Sequence, residues 1–506
     1  MDTRGVVEDK GLRMIEVAII IILGFVAYWS TLYHHYVSDD LMVYSQTNDK
    51  KIKKPRTLVE YLLKQLLGDY YWDSHKRMGR RRQVKLKLSR FWVRFYLAIF
   101  PHGREERNVV AHAMSIILHT TCSVLVYLAF QEYSQPAAWL GSLYFLISPA
   151  QHEGSLWLSG KPYVWTACVL LIVFIHPILS LFLPAMMWFL IVTSIPFPAV
   201  FFATIYWPFA FMLWFVYKAK KPNISKGRLY EEATEPMTFH WGKLILATKF
   251  YGYNIFNALT VMHCTLYQSY SAGVFTNSRG AKHRYHVDRY FFFGLLMIGL
   301  MIYGLIIQEP WGFGLFWYSV LIAPFCNLIS IGQQLATSRY AYLANAGLYF
   351  SLACFVLPYP LVAGGLFCWY ARQLLIIKQS YRNDYWNTAF ATFDEPTYVQ
   401  TWIHYGAMHY SRHEFHAALK AFREGIDCDP ENFHCWFNMS SCYVCMNMIP
   451  DSIKALQKAE SCELLFQKQT KENIVTERKK LIGLIYHEQK QGKEVELKVS
   501  DVPILV

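Results

Sequence analysis

Apolar residues in this 506-residue chain gather in long blocks separated by shorter polar ones. About 17 or more mostly apolar residues suffice to cross some 30 Å of hydrocarbon as a helix. Such blocks lie at 14–33, 108–131, 135–150, 161–176, 177–196, 198–217, 290–308, 311–330, 341–357 and 359–377, with a weaker eleventh at 244–262. In hydrocarbon every backbone N–H and C=O must be bonded internally, so the pattern predicts helices and not open strands. The first block, Met14 through Ser30, is longer than the apolar core of a cleaved signal and lacks a small-residue cleavage site. It reads as an uncleaved first helix.

Polar stretches divide the blocks. A loop at 34–107 follows the first helix, and others lie at 218–243, beginning Lys218, Lys220, Lys221 and Pro222, and at 268–289. Arg372 lies near the end of the last block and Lys378 just past it, then a polar, aromatic linker runs to 394. Beyond it the hydropathy falls and the period becomes that of soluble helices. There the sequence repeats every 34 residues, the tetratricopeptide period. Trp402, Gly406, Ala418, Phe422 and Pro430 occupy the consensus positions of one unit, and Trp436, Ser440, Tyr443, Ser452 and Ala459 continue the register in the next. Small residues at Gly406, Ala418, Ser440 and Ser452 let paired helices approach closely, and aromatics fill the groove between units. Trp402, Tyr405, Trp436 and Tyr443 are the candidates for binding a protein partner, and 466–490 reads as a charged capping helix.

The expected architecture is all-α. A polytopic transmembrane helical bundle of ten or eleven spans carries a C-terminal tetratricopeptide-repeat domain. Its parts are the N-terminus and first helix (1–33), a basic loop with an acidic pair (34–107), the bundle (108–378), a linker (379–394), repeats with a capping helix (395–490) and a tail (491–506). Composition agrees: 54% of residues are hydrophobic and 17% charged, too apolar for a string of soluble domains. The 16 Trp and 35 Tyr suit rings at headgroup level.

Charge sharpens the picture. Residues 50–94 hold fifteen Lys/Arg and three acids, which supplies +12 of the net +13. The positive-inside tendency would place this loop in the cytoplasm, whereas anionic lipid headgroups would hold it to a surface at about 1 kcal/mol per basic residue. Nucleic acid is not expected as a partner, because no recognition module accompanies the charge. Eleven cysteines are scattered, six in the membrane half and five in the repeats. Cys442 and Cys445 form a C-x-x-C on a predicted helix with no second pair at zinc-finger spacing, which favours packed thiols over a redox or metal site. Asn223-Ile-Ser225 and Asn438-Met-Ser440 fit the glycosylation triplet.

Candidate chemistry lies at helix ends. Asp39 and Asp40 follow the first helix at the membrane boundary, where a carboxylate could deprotonate an attacking hydroxyl. The competing reading is an exposed acidic pair closing a helix. His112 and His119, seven apart, share one helix face as core histidines or site lining. Glu153 and Lys161 bracket the turn Ser155-Leu-Trp157-Leu-Ser159-Gly160, and Arg339-Tyr340 opens a later span as site residues or an interfacial anchor.

These residues together resemble the membrane O-mannosyltransferases with tetratricopeptide repeats, the TMTC-like branch of the GT-C glycosyltransferases. Ser38-Asp39-Asp40 resembles the acidic pair of that family's first non-cytoplasmic loop, and His112 through His119 with Leu125-Val-Tyr127 resembles its second-helix pattern. Glu153-x-x-x-Trp157-x-Ser159-Gly160-Lys161 is similar to a motif that usually ends in Ser-Gly-Arg. Lys243 to Tyr267 resembles an amphipathic segment, and Pro324-x-x-Asn327-Leu-Ile with Arg339-Tyr340-x-Tyr342-Leu343 resembles the late blocks. Four features depart. Ser148 and Gln151 stand where histidines are usual, Ser338 replaces the acid before Arg-Tyr, and Arg80-Arg81-Arg82-Gln83-Val84 stands in place of a Tyr-Arg-Pro-Leu element.

The resemblance implies a GT-C-like bundle that moves a sugar, mannose-like, from a polyprenyl-phosphate donor to a Ser/Thr hydroxyl of a protein, that is, protein O-mannosylation. Asp39 would be the base with Asp40 beside it. His112, His119, Glu153, Lys161, Arg339 and Tyr340 would line the donor or acceptor site, and Arg80, Arg81 and Arg82 would hold the lipid phosphate. The polyprenyl-phosphate sugar is the donor implied; a divalent metal is compatible with such a site, although no ligand cluster demands one. The chain would be a multi-pass integral protein of a bacterial inner membrane or a eukaryotic endomembrane, with its acidic loop and repeats on the lumenal or periplasmic side. The partners would be membrane lipids and a protein held by the repeats. The departures motivate the alternative, a catalytically inactive GT-C-like scaffold subunit that docks partners through its repeats and basic loop. A transporter is disfavoured because no inverted repeat or matched pair of broken helices is visible.

Overall fold

The computed structural model describes residues 3–35, 37, 109–157, 160–176, 241–262, 286–326, 338–394, 396–462, 468–491, 502 and 504. Among them the protein is helical, with no strand element. The bundle comprises α1 (Thr3–Tyr28), α2 (Val109–Phe130), α3 (Gln135–Ile147), α4 (His152–Ser155), α5 (Lys161–Ile175), α6 (Trp241–Thr260), α7 (Arg289–Ile306), α8 (Pro310–Ile322), α9 (Ser338–Ala341), α10 (Ala344–Val356) and α11 (Pro360–Ser380). The C-terminal part comprises α12 (Asp384–Asp394), α13 (Val399–Ser411), α14 (Phe415–Cys428), α15 (Phe433–Cys445), α16 (Ile449–Ser461) and α17 (Lys468–Lys490).

Proline sets many of the boundaries. It stands in the first turn of α3, α5, α8 and α11, where its missing N–H would have had no partner anyway. It also ends helices early. The blocks expected as spans at 135–150, 311–330 and 341–357 stop as helices at Ile147, Ile322 and Val356, just before Pro149, Pro324 and Pro358. Proline pushes the residue before it out of the helical region and cannot donate to the turn behind it. The helices α3, α8 and α10 therefore have 13 residues each and α5 has 15, roughly 20–22 Å of rise. Among the described residues, four helices are long and apolar enough to cross a membrane, Gly11–Tyr33, His112–Phe130, Arg289–Ile306 and Pro360–Ser380. The blocks at 177–196 and 198–217 lie outside the described residues.

The weak eleventh block forms α6, which packs antiparallel to α7. A Cβ on Gly252 would lie 2.0 Å from the Tyr290 carbonyl oxygen and one on Gly294 would lie 2.4 Å from that of Thr248, so only glycines admit this crossing. Small residues at helix contacts serve the same purpose in membrane bundles generally. Lys249 of α6 meets Asp288 at 3.1 Å. The same aspartate caps α7 by accepting from the N–H groups of Tyr290 and Phe291 at 2.9 and 3.1 Å.

Helix directions follow from paired contacts. Glu16 accepts from Tyr127 at 2.5 Å, while Tyr28 lies against His119, so α1 and α2 run antiparallel. At the Tyr28 end, the Lys378 ammonium of α11 donates to the Ala27 carbonyl at 2.6 Å, and the His35 N–H donates to the Arg382 carbonyl at 3.0 Å. The chain thus enters the 38–108 segment and the C-terminal helices at one and the same end of the bundle. Exposed apolar side chains on α1, α7 and α11, such as Val26, Phe292 and Leu361, face away from the core.

The stretch read as a linker contains α12, which bridges α11 to α13. Beyond it, α13 pairs with α14 and α15 with α16, and α17 covers the last hairpin. The second hairpin repeats the first in detail. The Trp402 indole N–H donates to the Pro396 carbonyl at 2.8 Å, and Trp436 repeats this with Pro430 at 2.9 Å. His413 and Asn447 both turn the chain with φ of 62°. The Glu414 and Met448 N–H groups reach back to the His409 and Tyr443 carbonyls at 2.9 and 2.8 Å.

Candidate functional site

Polar side chains are buried together where α1 and α3 end, α2 begins, and α4 and α9 cross the end of the bundle. Glu153 of α4 is 1% exposed, and its Oε2 accepts from the Arg339 backbone N–H at 2.6 Å. The Arg339 guanidinium lies over the Trp157 ring at 5.3 Å and the Tyr340 ring at 5.5 Å. Such cation–π contacts contribute about 0.5–2 kcal/mol, more when desolvated. The Glu153 carboxylate supplies the attraction that offsets the burial of this cation. Tyr340 in turn stacks on Phe325 at 4.6 Å.

The turn carrying Glu153 and Trp157 is closed by Gly160, whose N–H donates to the Trp157 carbonyl at 3.1 Å. A Cβ at Gly160 would fall 1.7 Å from the Glu153 carbonyl oxygen, so this position excludes every side chain. Lys161 opens α5 directly after it. The structure therefore brings Glu153 and Trp157 against Arg339, although more than 180 residues separate them.

His119 sits one layer deeper and uses both ring nitrogens. Nε2 lies 2.9 Å from the Leu146 carbonyl oxygen, which can only accept, so Nε2 carries the proton. Nδ1 then accepts from the Tyr342 hydroxyl at 2.6 Å. Tyr28, which sequence reasoning did not single out, donates to the same Leu146 carbonyl at 2.7 Å. His112 lies nearer the rim, its ring edge-on to His34 with centroids 6.2 Å apart. The histidine substitutes are also engaged. Ser148 pairs with the Tyr349 hydroxyl, and the Gln151 amide donates to the Tyr342 carbonyl at 3.4 Å.

Comparison with protein-family models, curated proteins and solved structures returns no match. The reading of the chain therefore rests on its own residues. Asp39, Asp40, Arg80, Arg81, Arg82 and Ser159 lie outside the described residues. Among the described residues, no three His, Cys, Asp or Glu side chains converge as a metal site.

In the C-terminal helices Trp402, Tyr405, Trp436 and Tyr443 are all half-buried. Trp402 contacts Tyr405 edge-on at 6.5 Å, and the Tyr443 hydroxyl accepts from Arg423 at 3.2 Å. Cys442 is fully buried and unpaired by disulfide, and Cys445 lies 3.1 Å from the Tyr410 hydroxyl. Burial pushes both thiols above their ordinary range. Asn438 is fully buried inside α15, so its triplet is not presented on the folded surface; Asn223 lies outside the described residues. Sequence reasoning also missed Arg478 of α17. It is buried, donates to the Ser441 hydroxyl at 2.6 Å and covers the Phe437 ring at 4.6 Å. Desolvation lowers its pKa to about 10, which leaves it charged at neutral pH.

Proposed function

We propose that the chain is a multi-pass membrane glycosyltransferase of the GT-C type, which moves a mannose-like sugar from a polyprenyl phosphate to a Ser/Thr hydroxyl. The meeting of Glu153 and Trp157 with Arg339, whose guanidinium also covers the Tyr340 ring, at the end of the bundle where the acidic-pair segment leaves, carries this reading. In the proposed step Asp39 takes the acceptor hydroxyl proton as that oxygen bonds the sugar carbon. The bond from that carbon to the phosphate oxygen breaks, and the phosphate departs with the electron pair. A cation such as Arg339 suits the charge that develops there. Glu153 would act as a positioning residue by holding the Arg339 backbone. The C-terminal hairpins are read as two tetratricopeptide repeats that hold the acceptor or a partner protein on the same side as the site.

One observation favours the second reading, a non-catalytic scaffold of the same fold. Ser148 and Gln151 stand where that family usually has histidines; the Ser148 hydroxyl pairs with Tyr349, and the Gln151 amide nitrogen donates to the Tyr342 carbonyl. Sugar transfer by purified protein in detergent, over a panel of radiolabelled polyprenyl-phosphate sugars, separates the two. Transfer that falls by orders of magnitude in Asp39→Asn supports the enzyme. Absence of transfer from every donor, with variants folding normally, supports the scaffold.

A further inference from the structure

The short helix α12 carries its side chains the wrong way round for a helix in water. Trp386, Phe390 and Phe393 fall at i, i+4 and i+7, so they share one face. Phe393 is 84% exposed and Trp386 50%, with Phe390 half-buried between them. The opposite face is small and polar, yet Asn387, Thr388, Ala391 and Thr392 are the residues buried. Both threonine hydroxyls donate within their own helix, Thr388 to the Asp384 carbonyl at 3.0 Å and Thr392 to that of Ala389 at 2.8 Å. Their polarity is met without water. A surface helix bathed in water buries its aromatic face and turns its polar face out.

The position of α12 in the fold indicates what its outward face meets. α11 is one of the helices long and apolar enough to cross a membrane, and only residues 381–383 separate its end from α12. There Asn383 caps α12 by accepting from the Trp386 N–H at 3.0 Å. Phe390 then lines a small cavity with Gln373, Ile376 and Ile377, so α12 lies back alongside the last turns of α11 and not beyond them. Exposed apolar side chains continue from there onto α11 at Leu375 and Trp369, and onto Met262 just past α6. The Arg372 guanidinium lies over the Trp369 ring at 5.8 Å, a cation beside an indole as at a membrane–water boundary. Arg382, exposed, adds a second positive charge where α12 begins.

We propose that α12 is an interfacial anchor, its Trp386–Phe393 face lying in the headgroup layer of the bilayer with the rings towards the acyl chains. The lipid surface is the occupant because this face continues the exposed apolar side of α11 and is flanked by Arg372 and Arg382, which suit anionic headgroups. Helices of this kind sink their apolar face about 5–10 Å into the boundary. α12 is also fastened to the repeats. Its Tyr385 meets the Tyr405 ring at 6.1 Å and the His409 ring at 5.9 Å, and the Arg412 guanidinium lies over it at 4.7 Å. The anchor therefore holds the first repeat hairpin at the membrane surface, and a protein docked there is taken close to the lipid. The anchor depends on α11 spanning the membrane, as in the proposed function, and is independent of sugar transfer.

The test places a fluorescent naphthyl amino acid at Phe393 or Trp386 of the full-length chain, in nanodiscs of phosphatidylcholine and phosphatidylglycerol. Both positions are exposed enough for the aromatic replacement to leave the core intact. Exposed Leu361 of α11 and exposed Ser461 of α16 serve as the lipid and water controls. Quenching is read with aqueous iodide and with lipids carrying a doxyl group either high on the acyl chain or near its end. At Phe393 and Trp386 the high doxyl group is expected to quench roughly threefold more than at Ser461, and more than the low group does. Iodide should quench them less than Ser461. Iodide quenching equal to that at Ser461 overturns the proposal, as does stronger quenching by the low doxyl group. Shielding from iodide and both lipids also overturns it, because a protein partner or a second copy then covers the face. If Leu361 is quenched by lipid and Phe393 is not, the anchor alone fails. If neither is quenched by lipid, the spanning of α11 fails with it.

Discussion

Glu153 is a buried carboxylate whose visible partner is a backbone N–H far along the chain, with a guanidinium beyond it. Removing one partner of a buried ionic contact costs about 3–5 kcal/mol, whereas an isosteric acceptor keeps the hydrogen bond. Glu153→Ala is therefore expected to lower the thermal midpoint in detergent by several degrees, and Glu153→Gln by clearly less. Equal midpoints for the two variants would show that the carboxylate does not organise Arg339. His404 supplies a pH dependence outside the bundle. Burial, with repulsion from His434 added, lowers its pKa from 6.5 to about 4. The unfolded chain then binds a proton that the folded chain resists, so stability is full above about pH 6.5 and is lost as pH falls towards 4. His404→Gln should recover about 1–2 kcal/mol of that loss, read as a smaller drop in melting temperature between pH 7 and pH 4.5 than wild type shows.

At the scale of elements, helix contacts are set by residue size as much as by hydropathy. The α6 and α7 backbones touch at Gly252 and Gly294, with no room for a Cβ on either. Gly294→Leu is expected to part the two helices and strain the Lys249–Asp288 pair, at a cost of about 1–3 kcal/mol or more. Size-exclusion chromatography and trypsin cleavage in detergent check it; an unchanged monodisperse profile and an unchanged digestion rate would count against the crossing. Helices of this kind were visible as apolar blocks, yet their ends were not. Ile147, Ile322 and Val356 end their helices because prolines follow, a local steric rule that block length alone overlooks. The repeat hairpins were legible more fully. A 34-residue register specifies the same capping contacts twice, down to the Trp402 and Trp436 indole bonds.

For the whole molecule, the His35–Arg382 contact places the start of the basic segment and the start of the C-terminal helices at one end of the bundle. A membrane-impermeant maleimide is therefore expected to label single cysteines at Ser74 and at the exposed Ser461 from the same side of sealed vesicles, in a cysteine-free background. Labelling from opposite sides would overturn that placement. If the shared side is not cytoplasmic, the fifteen cations of residues 50–94 run against the positive-inside tendency, which suits a loop that binds an anionic lipid phosphate.

Residue order by itself determined the helical class, the placement of the described apolar helices and the 34-residue hairpins. Each depends on patterns within a few turns of chain, such as periodicity, block length and small residues at fixed spacing. Only the tertiary structure decided that Glu153 meets Arg339, that His119 has both nitrogens engaged, and that Val502 lies beneath Tyr410. Those contacts join segments tens to hundreds of residues apart, and they depend on how helices cross. Side-chain volume and hydrogen-bond satisfaction across the packed bundle govern that crossing, and no local pattern encodes either.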